Sequence, residues 1–281
     1  MKKFHLVIDV ALCENCNNCF LACKDEFCGN DWPGYSAAQP IHGQRWMDLR
    51  TRERGRFPVI DVAYLPVPCQ HCDDAPCVRA ARHQAVFKRP DGIVIIDPEK
   101  SKGQRQIVQS CPFGAIGWDE AAERPQKCTL CAHLLDADNG QVPRCVQACP
   151  TGALSLVHVD DDQWQSMMTE QDLQPLSTAG NIKPQMGYRN LYRYDACFVA
   201  GSVATGQATV AECVVDAAVQ LFDDGRVLAE TKTDAFGDFK FDGLADHSGP
   251  YFIEIHHQAA VVRREVARLD GSCSLDTIWL D

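Results

Sequence analysis

The sequence predicts an α+β chain in two parts: a cysteine-rich part of short alternating strands and helices, then a small all-β sandwich. Three observations predict it. Thirteen of the 16 cysteines lie between Cys13 and Cys149. Within that stretch Cys-Pro-Phe-Gly-Ala-Ile (111–116) and Cys-Pro-Thr-Gly-Ala-Leu (149–154) form an internal repeat, in which proline stops a helix, glycine turns the chain and a strand follows. Beyond residue 195, short segments alternate apolar and polar residues between turn signals.

Taken in order, residues 5–10 read as a strand leading into Cys13, and 20–27 as a helix turning away from it. Residues 93–96 are a short buried strand, and 114–118 and 152–157 are strands that follow the two Cys-Pro steps. The polar stretch 172–195 reads as an extended connector wrapping a surface. Strands are expected at 217–222, 226–233, 238–241, 251–257 and 261–269, punctuated by Asp-Asp-Gly, Phe-Gly-Asp and Ser-Gly-Pro. The expected division is 1–160, a connector 161–195, and a sandwich 196–281 that docks or braces.

Composition narrows the function. A net charge of −11 excludes a nucleic-acid partner, which needs a basic face, and serves solubility. No window is apolar enough to span a bilayer. The N-terminus lacks a secretory h-region and cleavage site, so a cytoplasmic location is expected, with export beside a partner bearing a twin-arginine signal left open. Cys13, Cys16, Cys19 and Cys23 stand too close together for a disulfide framework, which leaves metal thiolates in a reducing compartment.

Those four form C-x2-C-x2-C-x3-C, the ligand spacing of a bacterial ferredoxin. In that pattern the first three thiolates serve one cubane cluster and the fourth serves a second, so a partner run must exist. Cys128, Cys131, Cys145 and Cys149 supply it, with an insert at 132–144 that makes a helix-and-loop excursion. One [4Fe–4S] cluster is therefore expected on Cys13, Cys16, Cys19 and Cys149, and a second on Cys128, Cys131, Cys145 and Cys23. Ligation from one run fits poorly, because the fourth cysteine lies about one helical turn past the third and points to the far side. Cys69, Cys72 and Cys77 form C-x2-C-x4-C and lack one ligand; the remaining Cys-Pro, Cys111, completes a third site.

The competing reading is a set of structural zinc sites, for which Cys128, Cys131, Cys145 and Cys149 would pass alone. The opening run, the Cys-Pro ends and the repeat favour iron–sulfur. His71 and His133, near the sites, tune or pack rather than ligate, since four cysteines already serve each cluster. Cys28, Cys197, Cys213 and Cys273 are left over as buried small hydrophobes or inert thiols. His42, Asp48 and Glu53 fall in no arrangement tied to a reaction, so no catalytic residue is assigned.

At these residues the chain resembles the iron–sulfur subunits of the dimethyl sulfoxide reductase family of molybdopterin enzymes, which commonly carry four ferredoxin runs. Ala81, Ser101, Gln104 and Ile107 stand where the ligands of one such cluster would be, so the resemblance implies three clusters instead of four. Cys-Glu-Asn-Cys-Asn-Asn-Cys-Phe (13–20), Trp-Pro-Gly-Tyr (32–35), Arg-Glu-Arg-Gly (52–55), Lys-Cys-Thr-Leu-Cys-Ala-His (127–133) and Asn-Leu-Tyr-Arg (190–193) carry a narrower resemblance. It is to the small subunits of anaerobic aromatic transhydroxylases and hydroxylases, of the pyrogallol–phloroglucinol and resorcinol types. It implies a ferredoxin-like domain with a sandwich of the transthyretin or carboxypeptidase-regulatory kind. It also implies a heterodimer, whose large subunit holds a molybdenum bis(molybdopterin guanine dinucleotide) cofactor and the phenolic substrate. In such a complex this chain relays electrons. Because transhydroxylation has no net redox change, a priming or bracing role is the alternative, and a free soluble ferredoxin is disfavoured by the sandwich.

Overall fold

The computed structural model describes residues 1–137, 140–176, 182–207, 210–266 and 268–280. Strands dominate and the helices are few and short, giving a mixed α and β chain. It divides into two compact units, one of Met1–Thr51 and Tyr64–Leu191, the other of Arg52–Ala63 and Tyr192–Asp281. Among the described residues no helix is long and apolar enough to cross a membrane.

The first unit is organised by a three-stranded sheet. Lys3–Asp9, whose Leu6 and Ile8 are fully buried, lies at its centre. Leu154–Val159 pairs with it antiparallel, with Ile8 opposite Leu154. Gly187–Arg189 pairs with it in parallel, with Val7 opposite Gly187. The antiparallel register brings distant cysteines together. Lys3–Asp9 runs toward Cys13, and Leu154–Val159 starts just after Cys149-Pro150, so the first cysteine run and the last Cys-Pro meet at one end of the sheet. A hairpin repeats the device: Ile116–Asp119 follows Cys111-Pro112, Arg124–Lys127 leads into Cys128, and Ile116 lies opposite Lys127. Gly114 and Gly152 take φ +67° and +69° three residues after their cysteines, so the sequence repeat is a backbone repeat.

The strands expected at 5–10, 93–96, 114–118 and 152–157 are present as Lys3–Asp9, Val94–Ile96, Ile116–Asp119 and Leu154–Val159. Of the stretch expected to be a connector, 161–195, the first part is a helix, Asp161–Glu170. A capping box forms it: the Gln163 amide donates to Asp160 Oδ1 at 2.9 Å, and the Asp160 amide donates to Gln163 Oε1 at 3.3 Å. Residues 177–181 of the connector, 138–139 of the excursion and 267 of the last expected strand lie outside the described residues.

Apart from the short helix Tyr192–Asp195, the described elements of the second unit are strands. Cys197–Gln207 is flanked by Val210–Cys213 and Asp238–Leu244, and Cys273–Ser274 and Ile278–Leu280 pair along it in parallel. A four-stranded sheet orders Arg226–Lys232, Ala218–Asp223, Tyr251–His257 and Ala260–Val266. Alternate residues of both sheets, including Val199, Val219, Leu221, Phe239, Phe241, Ile253 and Ile255, make one apolar core. A buried ion network adds to it. Arg54, from the long hairpin of Met47–Arg56 and Val59–Pro68, grips Asp242 with two bonds of 2.7 and 2.9 Å and also bonds Asp61. The Lys240 ammonium lies 3.0 Å from both Asp61 and Asp242.

Candidate iron–sulfur centres

The twelve expected ligands all lie in the first unit, and all are free thiols. Their neighbours fall into three groups. Cys13 and Cys19 lie within electrostatic reach of one another, of Cys16 and of Cys149. Cys23 lies among Cys128, Cys131 and Cys145. Cys72 lies among Cys69, Cys77 and Cys111. Cross-ligation of the ferredoxin kind would group the thiols in the same way.

Helix Asn18–Phe27 divides the first run. It carries Cys19 and Cys23, both buried. Four residues on a helix rise about 6 Å and return to nearly the same face. The expectation that the two thiols point to opposite sides is therefore corrected: they are separated along the helix axis.

Burial dominates the chemistry of the thiols. It pushes Cys19 up to about 12, with Cys13 adding to the effect. It does the same to Cys72 and Cys131, to about 12 each, with Cys69 and Cys128 as the respective charged neighbours. Burial first, then Cys69, pushes Cys128 up to about 11. Burial, then the surrounding thiols, also drives Cys23 and Cys145 well above the ordinary thiol range. Four buried thiols crowded together resist ionisation unless a positively charged core takes all four at once, so binding such a core must expel protons.

The backbone is shaped for sulfur. In three of the four C-x2-C loops the residue before the second cysteine is left-handed, Asn15 at φ 55°, His71 at φ 44° and Leu130 at φ 53°, and in the Cys16–Cys19 loop it is Asn17, at φ 62°, two before the cysteine. The His71 amide donates to Cys69 Sγ at 3.5 Å and the Leu130 amide to Cys128 Sγ at 3.3 Å. The Asn15 amide likewise favours the thiolate of Cys13. Such turns aim peptide N–H groups at an anion. Among the described residues no three His, Cys, Asp or Glu side chains are grouped closely enough to hold a single metal ion. Cys145 and Cys149, which a zinc motif would join, keep different neighbours: Cys145 lies with Cys128 and Cys131, Cys149 with Cys13. The donor set fits four-iron clusters.

Two contacts link the groups. Cys145 of the second is within reach of Cys19 of the first. Cys128 of the second is within reach of Cys69 of the third. The groups therefore form a row, with the Cys23 set in the middle. The first group meets solvent at the exposed Cys16, whereas Cys69, Cys72 and Cys77 sit in the apolar core with Val86, Val94 and Ile107.

Ala81, Ser101, Gln104 and Ile107 have other work. Ile107 and Ser101 are fully buried, and Ala81 packs on the same core as Ile107. Gln104 Oε1 accepts from the Arg82 amide at 2.8 Å, and its Nε2 donates to the Lys100 carbonyl at 2.6 Å. Gln104 thus stitches together two chain segments that a cluster would join.

His71 and His133 are both held by protein groups. The Val94 amide donates to His71 Nδ1 at 3.0 Å. His133 Nε2 pairs with Glu26 Oε1 at 2.8 Å, and its ring stacks on Trp32 at 3.9 Å. His42 and Glu53 are exposed, and Asp48 pairs with Arg50. Of the leftover cysteines, Cys28 and Cys273 are half-buried and Cys197 is fully buried, but Cys213 is exposed and so is no core residue. One residue that the motifs do not single out is Lys127, buried immediately before Cys128. Its signal is a cation abutting a C-x2-C motif at the end of a strand.

A family model for a 4Fe-4S dicluster domain matches residues 60–159. Over 284 residues the chain is 39% identical to the pyrogallol hydroxytransferase small subunit of Pelobacter acidigallici, covering 100% of this chain and 96% of that one. It is 35% identical to a Halobacterium salinarum protein named for the iron-sulfur subunit of a dimethyl sulfoxide reductase, covering 58% of this chain and 68% of that one. It is 32% identical to a sulfite dehydrogenase subunit of Allochromatium vinosum, covering 67% of this chain and 83% of that one.

Proposed function

This chain belongs to the iron–sulfur electron-transfer subunits of the dimethyl sulfoxide reductase family of molybdopterin enzymes, and on that basis we propose that it carries three [4Fe–4S] clusters for a molybdenum partner acting on polyhydroxylated aromatics. The observation that carries this is the sorting of twelve thiols into three linked quartets. Cys13, Cys16, Cys19 and Cys149 would hold one cluster, Cys23, Cys128, Cys131 and Cys145 the second, and Cys69, Cys72, Cys77 and Cys111 the third. Bound, each cluster supplies a one-electron carrier. The chain's own contribution is to hold the thiolates with peptide N–H groups, to keep water from the inner quartets, and to keep neighbouring quartets close through the helix bearing Cys19 and Cys23. Gln104 and Ile107 close the place where a fourth cluster would stand.

The aromatic substrate is supported by the likeness to the hydroxytransferase small subunit, which spans the whole chain, whereas the two relatives named for dimethyl sulfoxide and sulfite span 58% and 67% of it. The partner would hold the molybdopterin cofactor and the substrate. We read the second unit as a sandwich of the transthyretin kind that docks or braces that partner, and the complex as working in the cytoplasm, where thiols stay reduced. The name of the same relative favours a second reading, in which the clusters only prime the metal or brace the interface.

Mixing the anaerobic complex with a trihydroxybenzene and freezing on the turnover timescale tests this by EPR. Cluster signals that change within a turnover support electron relay. Signals that stay silent while product forms support priming. A complex without molybdenum, or one inert toward every polyhydroxylated benzene, contradicts the assignment.

A further inference from the structure

Val94 clamps two buried polar side chains with one peptide unit. Its amide donates to His71 Nδ1 at 3.0 Å, and its carbonyl accepts from Lys127 Nζ at 2.5 Å. A ring nitrogen that accepts an N–H cannot carry a proton, so His71 is neutral and its proton sits on Nε2. That Nε2–H is buried and has no partner among the described residues. Leaving such a donor unpaired is costly.

Lys127 is as unusual. It is 2% exposed, and its ammonium donates to the carbonyls of Val94 and of Cys128, the latter at 3.0 Å. Among the described residues no carboxylate pairs with it, whereas the neighbouring Lys88 is paired with Asp73. Its charge is felt at Cys77, Cys111 and Cys128, so its anionic neighbours are the thiols of the second and third quartets.

We propose that His71 and Lys127 are positioning residues for electrons: the His71 Nε2–H bonds the cluster on Cys69, Cys72, Cys77 and Cys111, and Lys127 sits as a cation between that cluster and the one on Cys128. This rests on the three-cluster reading. Adding an electron makes a cluster more negative, and a fixed cation or N–H donor nearby favours that state. The third cluster is then the electron sink of the row, and Val94 holds both levers in register.

The test is an EPR-monitored redox titration of the anaerobically purified complex carrying Lys127→Gln, Lys127→Arg or His71→Asn. Asparagine tolerates the left-handed backbone at 71 and offers Val94 an acceptor, but cannot reach the far donor position. Lys127→Gln should lower the reduction equilibrium constants of the second and third clusters roughly tenfold, about 59 mV for one electron. His71→Asn should lower the third alone, Lys127→Arg should stay near the parent, and the first cluster should move in none of them. Unmoved potentials in loaded variants overturn the proposal, as does a uniform shift of all three clusters. Failure of both Lys127→Gln and His71→Asn to load the third cluster marks the residues as structural and overturns it too. Iron content of the parent complex is read separately: if it lacks three clusters, the underlying reading fails and not the lever.

Discussion

Cys19 and Cys23 stand one helical turn apart on helix Asn18–Phe27 and keep different company. Cys19 lies with Cys13, Cys16 and Cys149, and Cys23 with Cys128, Cys131 and Cys145. One turn of helix thus holds two neighbouring quartets together, which is the arrangement an electron relay needs.

Replacing Cys149 discriminates between cross-ligation and ligation within one run. Cys149→Ser should perturb the cluster of Cys13, Cys16 and Cys19, more than 120 residues away in sequence, and leave that of Cys128, Cys131 and Cys145 intact. EPR of the reduced protein reads this out. If the Cys128 cluster were lost and the Cys13 cluster kept, cross-ligation would be wrong.

Gln104→Ala removes the acceptor of the Arg82 amide and the donor to the Lys100 carbonyl. A buried polar group left unpaired costs about 1–3 kcal/mol. Chemical denaturation of the complex should show a loss of that size, with the iron content unchanged. A neutral substitution would mean that Gln104 does not stitch the segments.

Arg54→Met strips Asp61 and Asp242 of a shared buried partner. Breaking such a pair from one side costs about 3–5 kcal/mol. Hydrogen exchange along Asp238–Leu244 should accelerate, while the cluster spectrum, which belongs to the first unit, should hold. Unchanged exchange would show that Lys240, together with Arg193, which lies 3.0 Å from Asp61, suffices for the two carboxylates.

The same network sets a pH dependence. Burial pushes the Asp61 carboxyl up, but Lys240 and Arg54 outweigh it and bring it down to about 2 from an ordinary 3.8. A carboxyl depressed in the folded state stabilises fully above its unfolded value. The contribution is therefore complete above about pH 4 and is lost as pH falls through the window from 3.8 toward 2. Protection factors along Asp238–Leu244, which allow for the acid slowing of intrinsic exchange, should fall in that window, and Asp61→Asn should flatten the response. An equal acid response in Asp61→Asn would place its source elsewhere.

The proposed ligand sets can be read from sequence because ligand spacing is local and chemically strict: Cys13, Cys16 and Cys19 would need only a turn and a helix start to converge. The left-handed turn at Asn15 is harder to see from spacing, though asparagine takes that conformation readily. The helix Asp161–Glu170 has a local signal too, in the capping box that Asp160 makes with Gln163. Other features have none. Arg54 meets Asp242 across 188 positions of sequence, and nothing in the alternation of Met47–Arg56 shows which arginine is buried. The role of His71 depends on Val94, 23 positions on, because a tautomer is fixed by its partner and not by its own motif. Gln104 is visible as an absent cysteine, but its bonds to Arg82 and Lys100 arise only once the chain folds back.

The central claim is that twelve thiols hold three cubanes. Iron, acid-labile sulfide and zinc should be counted per chain in protein purified without oxygen, alongside EPR of the fully reduced state. About twelve irons, about twelve sulfides, no zinc and three magnetically interacting clusters are the predicted result. Zinc in the thiol sites, or about eight irons per fully loaded chain, would contradict it.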